Sequence, residues 1–332
     1  MEAITLTQLS KSFKGECVLD HLTMHVPEGA IYGFIGENGA GKSTTQKIIC
    51  GLIHPTSGDI RLMGRPVGDG DIRARMGVLI ENPGVYLGWS AKENLLMQAL
   101  NIGLPDPRKA VAEALDAVGL GAAGKKKVRE FSLGMKQRLG IASAFIGNPS
   151  VLVLDEPING LDPEGIREVR QVLQRLNREH GVTILISSHI LGELSKIATH
   201  YGIIKGGRMV KEASAQELSR ECMDYIRVRV AQPERVLSYL REEIPMDGSE
   251  VVDGEIRLLN AKDGATVNRC MIQNGDIASE IAYHQLDLED YFVKLMGGRR
   301  RCMICSQSTR SGLPTCSRWI CTILFGGRCS TS

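Results

Sequence analysis

No stretch of the chain approaches the roughly 20 consecutive apolar residues that a membrane-spanning helix requires. The opening MEAITLTQLS lacks both the basic region and the apolar core of a secretory leader. The chain is therefore expected neither to enter nor to cross a membrane by itself. Aromatic residues are scarce at 5%, yet 43% hydrophobic and 23% charged residues sit near the globular average, which excludes disorder over the whole length. Acids and lysine are absent from the last 34 residues, which hold six Arg; the remainder carries 34 basic against 38 acidic side chains. A mildly acidic body offers no broad basic face for many phosphates, so no nucleic-acid partner is expected. The nine cysteines are an odd number, and five of them crowd the last 31 residues. Without a secretory leader, that pattern points to reduced thiols rather than a disulfide framework. A length of 332 residues leaves room for about two domains.

What is present reads first as short alternating strands, EAITLTQL, CVLDHLTMHV and AIYGFIG, broken at Lys14-Gly15 and at Pro27-Glu28-Gly29. A helix is expected from Lys42 to Cys50, with Gly51 where helices commonly end. Residues 90–147 read as mainly helical. Ser90 and Glu93 have capping-box spacing, and Leu95, Leu96, Ala99 and Leu100 share one apolar face. VLVLDEP and TILISS are apolar runs suited to buried parallel strands, separated by a helix from Pro163 to His180. Gly206-Gly207 reads as a tight turn, and residues 224–296 alternate more weakly between strand and helix. The alternation is that of an α/β core.

Gly36-Glu37-Asn38-Gly39-Ala40-Gly41-Lys42-Ser43 fits G-x-x-x-x-G-K-[ST] between an apolar strand and a helix. There glycines let backbone N–H groups turn inward around phosphate oxygens. Lys42 is expected to bridge the outer phosphates, Ser43 to offer its hydroxyl to Mg²⁺, and Thr44 to support the α-phosphate end. Some 110 positions later an apolar strand ends in Asp155-Glu156. Two acids at the end of a buried strand are costly unless used; Asp155 is expected in the Mg²⁺ shell, and Glu156 beside the terminal phosphate, polarising a water. Together the two half-sites specify nucleotide hydrolysis.

Phe131-Ser132-Leu133-Gly134-Met135-Lys136-Gln137-Arg138 resembles the signature motif of ABC-type ATPases, normally L-S-G-G-Q. Asn159-Gly160-Leu161-Asp162 resembles their D-loop, and His189 their switch histidine, in the family's order and spacing across residues 1 to about 212. The resemblance implies an α/β fold with a P-loop NTPase core of ABC type, an N-terminal antiparallel β subdomain, and a helical signature subdomain over about residues 82–147. A small α+β C-terminal extension follows over 213–298. The resemblance also implies a homodimer sandwiching two ATP molecules, in which Ser132 and Gly134 contact the partner's γ-phosphate, Asp162 serves the D-loop and His189 bonds the γ-phosphate. Phe13 falls where the family stacks an aromatic on adenine; an ordinary core phenylalanine fits that position equally well.

Two departures refine the likeness. Leu133 and Met135 replace a glycine and a glutamine of the signature, and Glu81, in IENPGVY, stands where a glutamine is usual. A carboxylate there is expected near the Mg²⁺, binding it more tightly or repelling the γ-phosphate, and slowing turnover. Glu81, FSLGMKQRLGIA, DEPINGLDPEGI, SSHILGEL and the ending DLEDYFVKLMGG are similar to the bacitracin-export and lantibiotic-immunity branch. That likeness implies an ATPase subunit, peripheral on the cytoplasmic face of the membrane, energising a separate permease that exports antimicrobial peptides. The helical insertion from about Glu81 to Ser132 would meet the permease. A soluble ABC ATPase acting on nucleic acid or ribosomes, and a binding-only regulatory module, are the competing readings. Residues 299–332 depart from the family; Cys302, Cys305, Cys316 and Cys321 are enough to bind zinc, but their irregular spacing favours a disordered or frame-shifted end.

Overall fold

The computed structural model describes residues 1–68, 72–81, 83–189, 191–221, 224–261, 263–284, 291, 292 and 295. The tail with its zinc reading lies outside the described residues. Met1–Glu289 pack as one compact unit, and a second begins at Asp290. In that second unit the rings of Tyr291 and Phe292 meet edge to face at 6.1 Å.

The chain opens with a long hairpin, β1 (Glu2–Phe13) and β2 (Glu16–Pro27), turned at Lys14-Gly15 as expected. Next come β3 (Ile31–Ile35), α1 (Lys42–Ile49), and then β4 (Ser57–Leu62) and β5 (Arg65–Pro66), which return to the hairpin and complete an antiparallel sheet ordered β2-β1-β4-β5. β6 (Met76–Leu79) leads into the helical segment, α2 (Ala91–Asn101), α3 (Pro107–Ala117) and α4 (Leu133–Phe145). After it come β7 (Val151–Asp155), α5 (Pro163–His180), β8 (Thr183–Ser188), α6 (Leu191–Leu194), β9 (His200–Lys205), β10 (Arg208–Ser214) and α7 (Ala215–Glu221). The central sheet runs β10-β9-β3-β8-β7-β6, parallel except for β10. The α/β reading holds.

Sequence chemistry explains these elements. VLVLD and TILISS are buried at every position, because a parallel strand covered on both faces leaves no polar side. α5 buries Val169, Val172, Leu173 and Leu176, spaced as one helical face, and ends at Gly181 in a left-handed conformation. The Ser90 capping box forms: the Ser90 hydroxyl accepts from the Glu93 N–H at 3.2 Å and the Ser90 N–H donates to Glu93 Oε2 at 2.6 Å. Leu100, expected on the apolar face of α2, is instead 60% exposed. The side facing the core is taken by Ala91, Asn94, Leu95 and Ala99, with the Asn94 amide donating to the Ser90 and Tyr86 carbonyls.

The extension proves more regular than its weak sequence pattern. It runs β11 (Tyr225–Arg229), α8 (Pro233–Glu243), β12 (Gly248–Val252), β13 (Glu255–Leu259), α9 (Gly264–Gln273) and β14 (Glu280–His284), with sheet order β12-β13-β11-β14, all antiparallel. That is the ferredoxin-like βαββαβ arrangement. Ile226, Val228, Ile256 and Leu258 form its core with Val236, Leu240, Val267 and Met271 from the helices. The alternate positions of β11, Arg227 and Arg229, pair with Glu255 and Glu280. Among the described residues no helix is long and apolar enough to cross a membrane.

Candidate functional site

Three of the parallel strands, β3, β7 and β8, deliver a loop to the same end of the sheet, and these loops face one another across an open cleft of about 540 Å³. Asn38, Gly39, Gly41, Lys42, Ser43 and Thr44 line one side, and Glu156, Asn159 and His189 the other. Close packing dictates the glycines. A Cβ on Gly36 would lie 2.5 Å from the Ile204 carbonyl oxygen, and one on Gly41, whose φ is +109°, would lie 2.6 Å from Leu19 Cδ2. The exposed crown of Glu37, Asn38 and Gly39 rises from buried Gly36 and Ala40, with the Ala40 N–H donating to the Glu37 carbonyl at 3.1 Å.

Lys42 is only 6% exposed, and its ammonium donates to the carbonyls of Gly36 at 2.7 Å and Glu37 at 3.2 Å. Burial pulls its pKa below the usual lysine value, offset in part by Glu156 and Asp155. Glu156 Oε1 stands 3.8 Å from that ammonium, and its other oxygen meets His189 Nδ1 at 2.8 Å. Glu156 itself is left-handed, with φ +49°. For a non-glycine residue that costs about 1–2 kcal/mol, a strain characteristic of functional positions.

Asp155 is buried; its Oδ1 accepts from Ser43 Oγ at 3.2 Å and from Ser187 Oγ at 2.6 Å. The Ser187 hydroxyl also accepts from the Glu156 N–H at 2.9 Å. Among the described residues no cluster of three or more His, Cys, Asp or Glu could enclose a metal unaided. A hydroxyl and a buried carboxylate converging on one point still fit a hard cation that takes its remaining oxygens from phosphate and water.

Several expected site residues stand elsewhere. The Glu81 carboxylate lies 2.7 Å from Lys47 Nζ, is 66% exposed, and is held below the usual glutamate value by that hydrogen bond and charge. Lys47 lies one helical turn beyond Ser43 on the same face of α1 and intercepts the acid expected at the metal. Phe13 is 44% exposed, which removes the core reading; Lys11 Nζ sits 4.8 Å over its ring, and Val18 rather than Phe13 lines the cleft. Ser132 caps α4, its hydroxyl accepting from the Met135 N–H at 3.2 Å, and neither it nor Gly134 lines the cleft of its own chain. Asp162 caps α5, accepting from the Gly165 N–H at 3.1 Å.

Sequence reasoning missed Ser187 and Gln46. Ser187 ends a buried strand beside the acidic one, where a lone hydroxyl needs a partner. The buried Gln46 amide donates to the Leu154 carbonyl at 3.1 Å, pinning α1 to the end of β7.

The ABC transporter family model matches residues 19–159. The bacitracin transport ATP-binding protein BcrA of Bacillus licheniformis is 40% identical over 89% of this chain and 97% of its own length. The lantibiotic transport ATP-binding protein SrtF of Streptococcus pyogenes is 43% identical over 63% of this chain and 90% of its own. Among solved structures, an ATP-binding subunit of an ABC transporter aligns at TM-score 0.58 and 30% identity, covering 66% of this chain and 92% of that one. A dimeric ATP-binding cassette in a post-hydrolysis state with ADP and Pi aligns at 0.58 and 25%, covering 64% and 98%. Because the likeness to BcrA runs through nearly its whole length and so beyond the shared cassette, the chain belongs to the ABC transporter family as one of its ATP-binding, ATP-hydrolysing subunits.

Proposed function

We propose that this chain, peripheral on the inner face of the cell membrane, energises a separate permease that exports antimicrobial peptides of the bacitracin or lantibiotic type. The observation that carries this reading is the extent of the likeness: a bacitracin transport subunit matches over 97% of its length, so the extension is included with the cassette. An exposed apolar patch in the region after Glu81 supports a docked partner. Tyr86, Leu87 and Trp89 are 52%, 52% and 41% exposed, and the two rings stack at 4.8 Å.

In this mechanism the inward N–H groups of the glycine loop and the Lys42 ammonium bind the β- and γ-phosphates of ATP. Ser43 and Asp155 hold Mg²⁺, which, when bound, screens charge on the phosphate oxygens. Arrival of the γ-phosphate at Lys42 draws that ammonium from Glu156. The freed carboxylate, steadied by His189, orients water toward the γ-phosphorus and accepts its proton as the bond to ADP breaks. Ser132, exposed at the cap of α4, and Gly134, buried in its first turn, act on the nucleotide of a second copy, since the N-terminus of a helix favours an anion. His189 bonds the γ-phosphate and Asp162 holds the D-loop between the copies.

The test is the growth-inhibiting concentration of bacitracin and of several lantibiotics for the native host lacking this chain but keeping its permease. Wild type is expected to restore tolerance to one peptide and Glu156→Gln to restore none. Unchanged tolerance with wild type would overturn the cargo assignment while leaving the ATPase chemistry intact.

A further inference from the structure

The C-terminal end of α3 is gripped from two sides. From α4, Arg138 Nη1 donates to the Val118 carbonyl at 3.2 Å and approaches that of Gly119 at 3.5 Å. From α5, Arg175 Nη1 donates to the Asp116 carbonyl at 2.9 Å. Cations belong at a helix C-terminus, where unpaired carbonyls concentrate negative charge. Arg138 also reaches the other way: its Nη2 lies 3.2 Å from Glu168 Oε2 on α5, and the side chain is only 11% exposed. One guanidinium thus joins α3, α4 and α5.

Where Glu168 sits gives that junction a meaning. A Cβ on Gly134 would lie 3.9 Å from Glu168 Oε2 and 3.4 Å from the Gly165 Cα, so the first turns of α5 pack directly on the signature glycine. α5 begins at its Asp162 cap, seven residues after Asp155. The angle between α4 and α5 therefore sets where Ser132 and Gly134 stand relative to the chain's own D-loop. A cavity of about 230 Å³ lies beside Arg138, Glu168 and Arg175, and the buried Arg138 Nε has no hydrogen-bond partner.

We infer that Arg138 is a positioning residue that sets the angle of the signature helix, so that Ser132 and Gly134 of one chain meet the nucleotide held by a second copy. This rests on the two-copy reading above. Because the signature acts on the other chain, disturbing Arg138 weakens closure of the pair while sparing ATP binding at the chain's own loop. A residue that merely stabilises the fold does not produce that split.

The experiment uses the full chain carrying Glu156→Gln, alone and with Glu168→Gln or Arg138→Lys added. ATP binding is measured at protein concentrations where monomer prevails, ATP-driven dimerisation by sedimentation, and melting temperature in parallel. Glu168→Gln leaves Arg138 held by the α3 carbonyls, and Arg138→Lys keeps the charge pair but loses the second arm. Each is expected to raise the dimerisation midpoint about tenfold, in the range seen for residues that couple sites, with monomer affinity and melting temperature unchanged. Equal midpoints in all three chains would overturn the role of Arg138 alone. A Glu156→Gln chain that never dimerises with ATP would overturn both this inference and the two-copy reading.

Discussion

The cassette and the extension use the same strands and helices to opposite ends. In the cassette, β3, β7 and β8 run parallel and are buried on both faces, so their carboxyl ends meet at one edge. There they deliver the phosphate loop, Asp155 with Glu156, and His189 to a single cleft. In the extension, neighbouring strands alternate in direction, which sends their ends to opposite edges, and β11 places Ile226 and Val228 inward against Arg227 and Arg229 outward. One sheet gathers chemistry; the other builds a core under a face of ion pairs. The lesson is that strand direction, more than composition, decides where function collects.

The largest effect that sharpens this contrast is at Glu156. Replacing it with Gln is expected to lower steady-state phosphate release about 10²–10⁴-fold, the contribution of a general base, with ATP binding retained. Hydrolysis at the wild-type rate would mean that a group outside the β7 loop activates the water. Leu258→Ala, in the core of the extension, is expected to cost about 2–5 kcal/mol of that region's stability while leaving ATP affinity in the cassette untouched. A parallel fall in nucleotide affinity, followed by equilibrium titration, would break the separation of the two regions.

Ser187→Ala is next. It removes the hydroxyl that serves Asp155 and Glu156 together, and a loss of about 10–100-fold in turnover is expected, as for groups that orient a metal's ligands. Turnover within twofold of wild type would show that β7 holds its acids without help from β8. Smallest is Ser90→Ala in the helical segment, expected to cost about 1 kcal/mol as a lost helix cap, read as a small drop in melting temperature. The partner in that box supplies a pH signature. Backbone and hydroxyl bonds from Ser90 hold the Glu93 carboxyl below its ordinary value. Its contribution is complete above the unfolded carboxylate range and is lost as pH falls through the lower folded value. Wild type and Glu93→Gln are therefore expected to differ in melting temperature at neutral pH and to converge in acid.

Much of this was legible before any coordinates. The loop from Gly36 to Ser43, the buried runs ending at Asp155 and Ser188, and the helix from Pro163 to His180 are written in spacing and capping. Each of these depends on neighbours close in the chain. The ferredoxin-like order was not legible, because strands of five residues in β11 to β14 carry a weak period and their pairing is non-local.

By itself, then, the sequence determined where a glycine loop and a pair of acids follow buried strands, and which segments of the cassette are helix or strand, since those follow from local backbone preference and residue type. Tertiary structure alone decided how the side chains are partnered. It put Ser187 between Asp155 and Glu156, gave Glu81 to Lys47 instead of the metal, left Phe13 outside the cleft, and joined three helices through Arg138. The physical reason is range: a hydrogen bond or ion pair acts over about 3 Å, and only the packing of distant segments brings such groups that close.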